Sequence, residues 1–298
     1  MHRFNTLLQR EWMQHHRGWL VLMLALPLVV LVVVPFGTVE IGGEMGPMPS
    51  LALMLVAMAA TPAIVLGITA LSLVFQAPGL ARRDRQDRSI EFWLSLPTSH
   101  SASVGATLLM HFVLVPLLAL AIGAAFGWAI GFALVWKGIG GAAAFGLPWG
   151  TLVGVGAAGL ARGLLGVLLA CAWLMPLVLL AMAASAWFKR WGVPVLVLVL
   201  GISHKLLAYR YDITVIGDTL NGLLVNAPVA LLHAVSTGRP PFPEGASGAV
   251  AWLDRAPAWF LSDGLASLRE LGQPLFLFAL AASAACFALL VLRRSRNG

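Results

Sequence analysis

The stretch that decides the fold is LALMLVAMAATPAIVLGITALSLVF, Leu51–Phe75. It runs for 25 residues without a charged side chain. As a helix it would extend about 37 Å, against a bilayer hydrocarbon core of about 30 Å. Its hydrophobicity is continuous, with none of the in–out alternation that a membrane barrel strand needs. Leu51–Phe75 therefore reads as a membrane-spanning helix.

The rest of the chain extends that reading. Of 298 residues, 60% are hydrophobic and only 10% charged, and the mean hydropathy is +0.90. Soluble domains carry about 25% charged residues. A soluble domain, a disordered chain and a coiled coil are excluded. The expected fold class is an all-α membrane protein with six transmembrane helices. The spans are Trp19–Phe36, Leu51–Phe75, Ser103–Leu134, Leu164–Phe188, Val193–Leu207 and Pro274–Leu292. The whole chain, 1–298, reads as a single transmembrane domain. Gly138–Gly163 is left outside the spans, because ten glycines fall between Gly138 and Gly166. Each costs a helix up to ~1 kcal/mol relative to Ala. The segment 208–273 is long, with the Pro-rich centre RPPFPE at Arg239–Glu244. Leu220–Val235 and Trp259–Leu271 are expected to form short helices within it.

Charge sets the expected orientation. The net charge is +7 and the isoelectric point about 10.4. In a membrane protein the distribution of Lys and Arg matters more than the total. Six spans place twelve Lys and Arg on one side, in Met1–Gly18, Gln76–Ala102, Phe188–Gly192 and the C-terminal tail. The other side's short loops hold two, Lys137 and Arg162. That asymmetry puts both termini in the cytoplasm of a multi-pass protein of the cytoplasmic (inner) membrane. A seven-span alternative, with Gly138–Gly163 crossing, nearly erases the asymmetry. The N-terminal 18 residues do not read as a cleavable signal. They place Phe4, Leu7, Leu8 and Trp12 near one helical face, and Arg10, Gln14 and Arg17 near another. An amphipathic helix lying on the cytoplasmic membrane surface is expected there.

Few residues offer chemistry. Well inside these spans His111 is the one strongly titratable side chain, and its plainest role is a neutral imidazole bonded to a helix carbonyl. Ion-coupled carriers place such groups deep in the membrane, so energy for any transport would come from outside the membrane domain. The chain cannot bind ATP through a phosphate loop. Its lysines, Lys137, Lys189 and Lys205, follow Trp136, Phe188 and His204, not the glycine of G-K-[ST]. No catalytic residue and no metal site is expected. His15 and His16 are adjacent, so their rings diverge by about 100° on a helix. Cys171 and Cys286 read as small buried hydrophobes. Gly123, Gly127 and Gly131 recur every four residues on one face, where another backbone can come close. That face could serve packing within the chain or between subunits. The loop ARRDRQDRSIEFWLSLP, Ala81–Pro97, mixes four Arg with three acids and then Phe92 and Trp93. Mixed charge with aromatic anchors suits a short helix docking in another protein's groove.

Two motifs carry a resemblance. QREWMQHHRGWL, Gln9–Leu20, and DRQDRSIEFWLSLPTS, Asp84–Ser99, resemble the opening segment and the inter-span signature of permease subunits of type-2 ABC exporters. The six-span layout extends the likeness along the whole chain. Glu91 and Leu94 depart from the family's commoner residues. The resemblance implies that residues 76–102 hold a cytoplasmic coupling helix between spans two and three. That helix would contact a separate ABC ATPase through Asp84, Arg85, Asp87, Arg88, Ser89, Phe92 and Trp93. The interface helix, 1–18, would add Arg10, Glu11 and Trp12. It further implies a second permease copy in a homodimer, ATP and Mg in the partner ATPase, no cofactor in this chain, and re-entrant helices in the extracytoplasmic segment 208–273. Membrane lipid is an expected partner and nucleic acid is not.

Three functions follow as expectations. The first is a transport subunit that forms the translocation pathway for a hydrophobic or amphipathic substrate. The second is a subunit of the same type of complex used for sensing or assembly. The third is an intramembrane enzyme, for which Ser185, Ser203, His204 and His111 would be the candidates. No G-x-S-x-G or H-E-x-x-H supports the third.

Overall fold

A computed structural model describes residues 2–38, 48–82, 99–234 and 246–296. The described residues are helical, with no strand among them. The helices are α1 (His2–Val33), α2 (Pro49–Leu80), α3 (His100–Gly138), α4 (Gly141–Phe145), α5 (Trp149–Phe188), α6 (Gly192–Tyr211), α7 (Val215–Leu231), α8 (Ala246–Arg269) and α9 (Pro274–Ser295). Five helical runs are long and apolar enough to cross a bilayer: Phe4–Val33, Pro49–Leu80, His100–Gly138, Trp149–Tyr211 and Pro274–Ser295. This is the composition of a multi-pass membrane protein. The fourth run bends at the 3₁₀ turn Lys189–Trp191, where Lys189 has φ 55°. There Gly192 closes on α5, and a Cβ on it would fall 2.5 Å from the Cα of Ser185. α6 ends on Asp212 in the left-handed region, φ 53°, and Ile213 N–H returns to the carbonyl of Leu207. That is a helix-terminating pattern which an Asp tolerates.

α5 is the axis of the bundle and touches α2, α3, α6, α7, α8 and α9. Its 40 residues span about 60 Å, so only part of it can lie in a hydrocarbon core of about 30 Å. This differs from the sequence expectation, which starts a span at Leu164 and leaves the glycines before it outside. Several of these glycines let neighbours come close. A Cβ on Gly156 would fall 2.6 Å from the Trp128 ring, and one on Gly166 would fall 2.9 Å from the Leu231 backbone. Packing of this kind outweighs a propensity cost of up to ~1 kcal/mol per glycine.

α2 and α3 pack antiparallel along the glycine face. Cβ atoms on Gly123, Gly127 and Gly131 would lie 2.5 Å from Pro62 Cα, 2.9 Å from the Ala57 carbonyl oxygen and 2.7 Å from Met54 Sδ. The four-residue glycine spacing is therefore occupied by α2 of the same chain.

One apolar cluster gathers Trp19 and Met23 of α1, Leu73 and Ala77 of α2, Val104 and Leu108 of α3, Ala183 and Ala186 of α5, and Leu290 of α9. The start of α1, the end of α2, the start of α3, the α5–α6 turn and the end of α9 thus share one end of the bundle. At that end the Arg293 guanidinium lies 5.4 Å over the Trp187 ring. A second cluster marks the opposite end, with Leu51, Met54, Val135, Ala144, Leu152, Leu253 and Ala256. Lys137 donates there to the carbonyl of Pro35, 3.0 Å away.

α1 also differs from expectation. It is one unbroken helix of 32 residues through Gly18, not a surface helix followed by a span. Leu7, Glu11, Trp19 and Met23 are buried at multiples of four residues, with His15 half-buried between them. A stripe kept in register across residue 18 holds the helix together at a glycine that alone would weaken it.

Candidate functional site

Two buried polar clusters lie among the described residues. The first joins α1 to the start of α3. Glu11 is 0% exposed and His111 is 0% exposed. Arg10 donates to Glu11 Oε1, and Thr107 Oγ1 donates to the same oxygen over 3.2 Å. The other oxygen, Oε2, lies 3.9 Å from His111 Nδ1. His111 Nδ1 bonds the Thr107 carbonyl at 3.0 Å, and His15 Nδ1 bonds the Glu11 carbonyl at 3.2 Å. A carbonyl only accepts, so each Nδ1 carries a proton. The rings stand close: His15–His111 centroids are 5.1 Å apart, and Trp19 lies 5.0 Å from His111 and 5.3 Å from His15. One oxygen or nitrogen from each of Glu11, His15 and His111 lies within 4.8 Å of the others.

The backbone that presents His111 is unusual. Met110–Leu114 forms a π turn directly before Val115–Pro116. Proline has no N–H and crowds the carbonyl four residues earlier. Here that carbonyl belongs to Phe112, and it accepts from Cys171 Sγ of α5 at 2.6 Å instead. Pro116 thus explains why the helix widens at this place, and Cys171 has a partner that its sequence context did not suggest.

The second cluster ties α5 to α7 and α8. Arg162 lies about 20 Å along α5 and is 4% exposed. Its Nε donates to Asp263 Oδ2 at 2.8 Å, Nη1 to the Ala230 carbonyl at 3.1 Å and Nη2 to Ser267 Oγ at 2.6 Å. Asp263 also accepts the backbone N–H groups of His233 and Ala234, at 3.2 and 2.8 Å, just beyond the end of α7. With Glu11 and His111, Arg162 is therefore a further buried ionisable side chain in a long apolar helix, where the sequence reading finds only His111 and assigns Arg162 to a loop. Arg162 borders two cavities. One, of about 430 Å³, lies between α2, α3, α5 and α8 and is lined mainly by apolar side chains, among them Met58, Leu66, Trp128 and Phe260. The other, of about 310 Å³, lies between α5 and α8.

The expected interface residues divide. Glu11 points into the bundle. Arg10 is bonded to it, and Trp12 stacks on His16 with centroids 5.8 Å apart. Asp84, Arg85, Asp87, Arg88, Ser89, Phe92 and Trp93 lie outside the described residues. Of the enzyme candidates, Ser185 is buried against Gly192, and the His204 ring packs on Gly217. Both clusters had a sequence signal that went unread. Glu11 and His15 are four residues apart, as are Asp263 and Ser267, and each pair shares one face of an apolar helix.

No protein-family model matches this chain, and neither a curated protein nor a solved structure matches it.

Proposed function

We propose that the chain is the membrane-spanning subunit of an ATP-driven exporter, with six spans and both termini cytoplasmic. A second copy completes the pathway, and a separate ABC ATPase supplies the energy. The observation that carries this reading is the position of the ends of segment 83–98. α2 ends and α3 begins at the same end of the bundle as the first half of α1, and α1 packs on both. A helix formed by the DRQDRSIEFW segment would sit beside the N-terminal helix, so one partner could grip both. Movement of that partner would then pass into α1 and α3 together, through Glu11, Thr107 and His111. The cavity of about 430 Å³ beside Arg162 supports an apolar or amphipathic substrate. Arg162 itself bonds Asp263, Ser267 and Ala230, so its charge is balanced within the chain.

The test is Trp93→Ala. Buried aromatic anchors at interfaces often cost more than about 2 kcal/mol when cut to Ala, whereas rim charges cost little. Trp93→Ala should lose co-purification with the ATPase, or uncouple ATP hydrolysis from transport in proteoliposomes. Arg82→Ala should assemble normally. Normal assembly and coupling by Trp93→Ala would rule out the coupling role of the loop. In that case the sensing or assembly reading fares no better, since it relies on the same contact.

A further inference from the structure

We propose that Glu11, His15 and His111 form a binding site for one divalent transition-metal ion of the zinc type. The site clamps the first half of α1 to α3. It does not depend on the exporter reading, because it uses only the geometry within this chain.

The donor set is two imidazoles and one carboxylate. That combination suits zinc and its neighbours, whereas magnesium and calcium prefer oxygen ligands throughout. Three protein ligands leave a fourth position for water. The surrounding hydrogen bonds are those a metal site needs. Metal-ligating histidines generally donate their other ring N–H to a carbonyl or carboxylate, which fixes the tautomer and the ring plane. Both Nδ1 atoms here are tied to backbone carbonyls, of Glu11 and Thr107. In the neutral rings Nε2 is then the nitrogen that ligates. Glu11 is oriented in the same way: Arg10 and Thr107 hold Oε1, and Oε2 is on the side of His111.

The spacing is near that of a closed site. One donor atom from each of the three side chains lies within 4.8 Å of the others. Around a tetrahedral ion, with bonds of 2.0–2.1 Å, they would lie about 3.4 Å apart. Oε2 of Glu11 lies nearest the Nδ1 side of His111, so closure requires the carboxylate to swing toward Nε2 and the His15 ring to turn with it. His15 is half-buried, and it gives the ion its way into a site whose other two ligands are fully enclosed. His16, one residue on, bonds the carbonyls of Trp12 and Met13 and takes no part.

The experiment uses the purified full-length chain in detergent, stripped with a chelator and titrated with Co²⁺ alone. One equivalent per chain should bind, with the strong visible absorption of a low-coordinate cobalt site, and Zn²⁺ should displace it. His15→Ala should weaken binding about tenfold or more, as losses at metal sites do. His16→Ala should leave it unchanged. Co²⁺ that fails to bind stoichiometrically, or binding that survives His15→Ala, overturns the proposal, as does equal loss in His16→Ala. A further measurement needs no variant. The X-ray absorption spectrum of the Zn²⁺-loaded wild type should show imidazole and oxygen donors. A first shell with sulfur, or without imidazole, overturns the assignment as well.

Discussion

The two buried polar clusters start from the same motif and end differently. Each begins with a pair of polar residues four apart on an apolar helix, Glu11 and His15 on α1, Asp263 and Ser267 on α8. At Asp263 the partner is an arginine, whose planar fork spends Nε, Nη1 and Nη2 on three acceptors at 2.6 to 3.1 Å. Asp263 meanwhile caps the backbone beyond α7. The cluster is closed: its charges cancel and its donors are matched, as a buried charge requires. At Glu11 an arginine and a threonine both donate to one carboxylate oxygen, and the other oxygen lies on the side of His111, with the His15 ring alongside. The difference lies in how the carboxylate is spent: both oxygens of Asp263 accept hydrogen bonds, from Arg162 and from the backbone of His233 and Ala234, which makes that cluster a staple.

The largest effect should come from breaking the closed cluster. Arg162→Ala strands Asp263 among apolar helices, and removal of one partner of a buried pair costs about 3–5 kcal/mol. Denaturant unfolding in micelles should show a loss on that scale, with aggregation on gel filtration. A loss below about 1 kcal/mol would place the pair among weakly coupled surface ions. Glu11→Ala should rank second. It removes a charged acceptor from Arg10 and Thr107, and hydrogen bonds to charged groups contribute about 1.5–3 kcal/mol. If Glu11→Ala proved as costly as Arg162→Ala in metal-free protein, the two clusters would be staples alike. The smallest effect belongs to His16→Ala, beside the cluster but outside it. Its stability should stay within about 0.5 kcal/mol of wild type, as for surface positions generally.

The helical, membrane-like character of the chain was legible because long apolar runs leave no other solution for the backbone. The helices at Val215–Leu231 and Ala246–Arg269 were partly legible too: the windows Leu220–Val235 and Trp259–Leu271 fall largely within them. The start of α5 was not. Glycine density predicts a poor helix when each residue is judged alone, and only the partners of Gly156 and Gly166 reverse that judgement. Arg162 was misread for the same reason, because a charge within a glycine-rich stretch looks like a loop residue. The cluster on α1 is not legible from the adjacent pair His15–His16, whose rings diverge on a helix. The relevant spacing was Glu11–His15, and its third member arrives from a helix almost a hundred residues away. The intervals that matter to a folded site are set by helical turns and by which helices meet.

The π turn at Met110–Leu114 makes the architecture of α3 a matter of residue count. A π turn accommodates one residue more than an α turn, and one residue corresponds to about 100° of rotation around a helix. His100–Leu109 is therefore set at a fixed azimuth relative to Val115–Gly138 by a single surplus residue. The glycine seam against α2 lies on one side of that surplus, and Thr107, which reaches Glu11, lies on the other. Shortening the chain by one residue here would keep every side chain's chemistry and yet turn the two halves of α3 toward different neighbours.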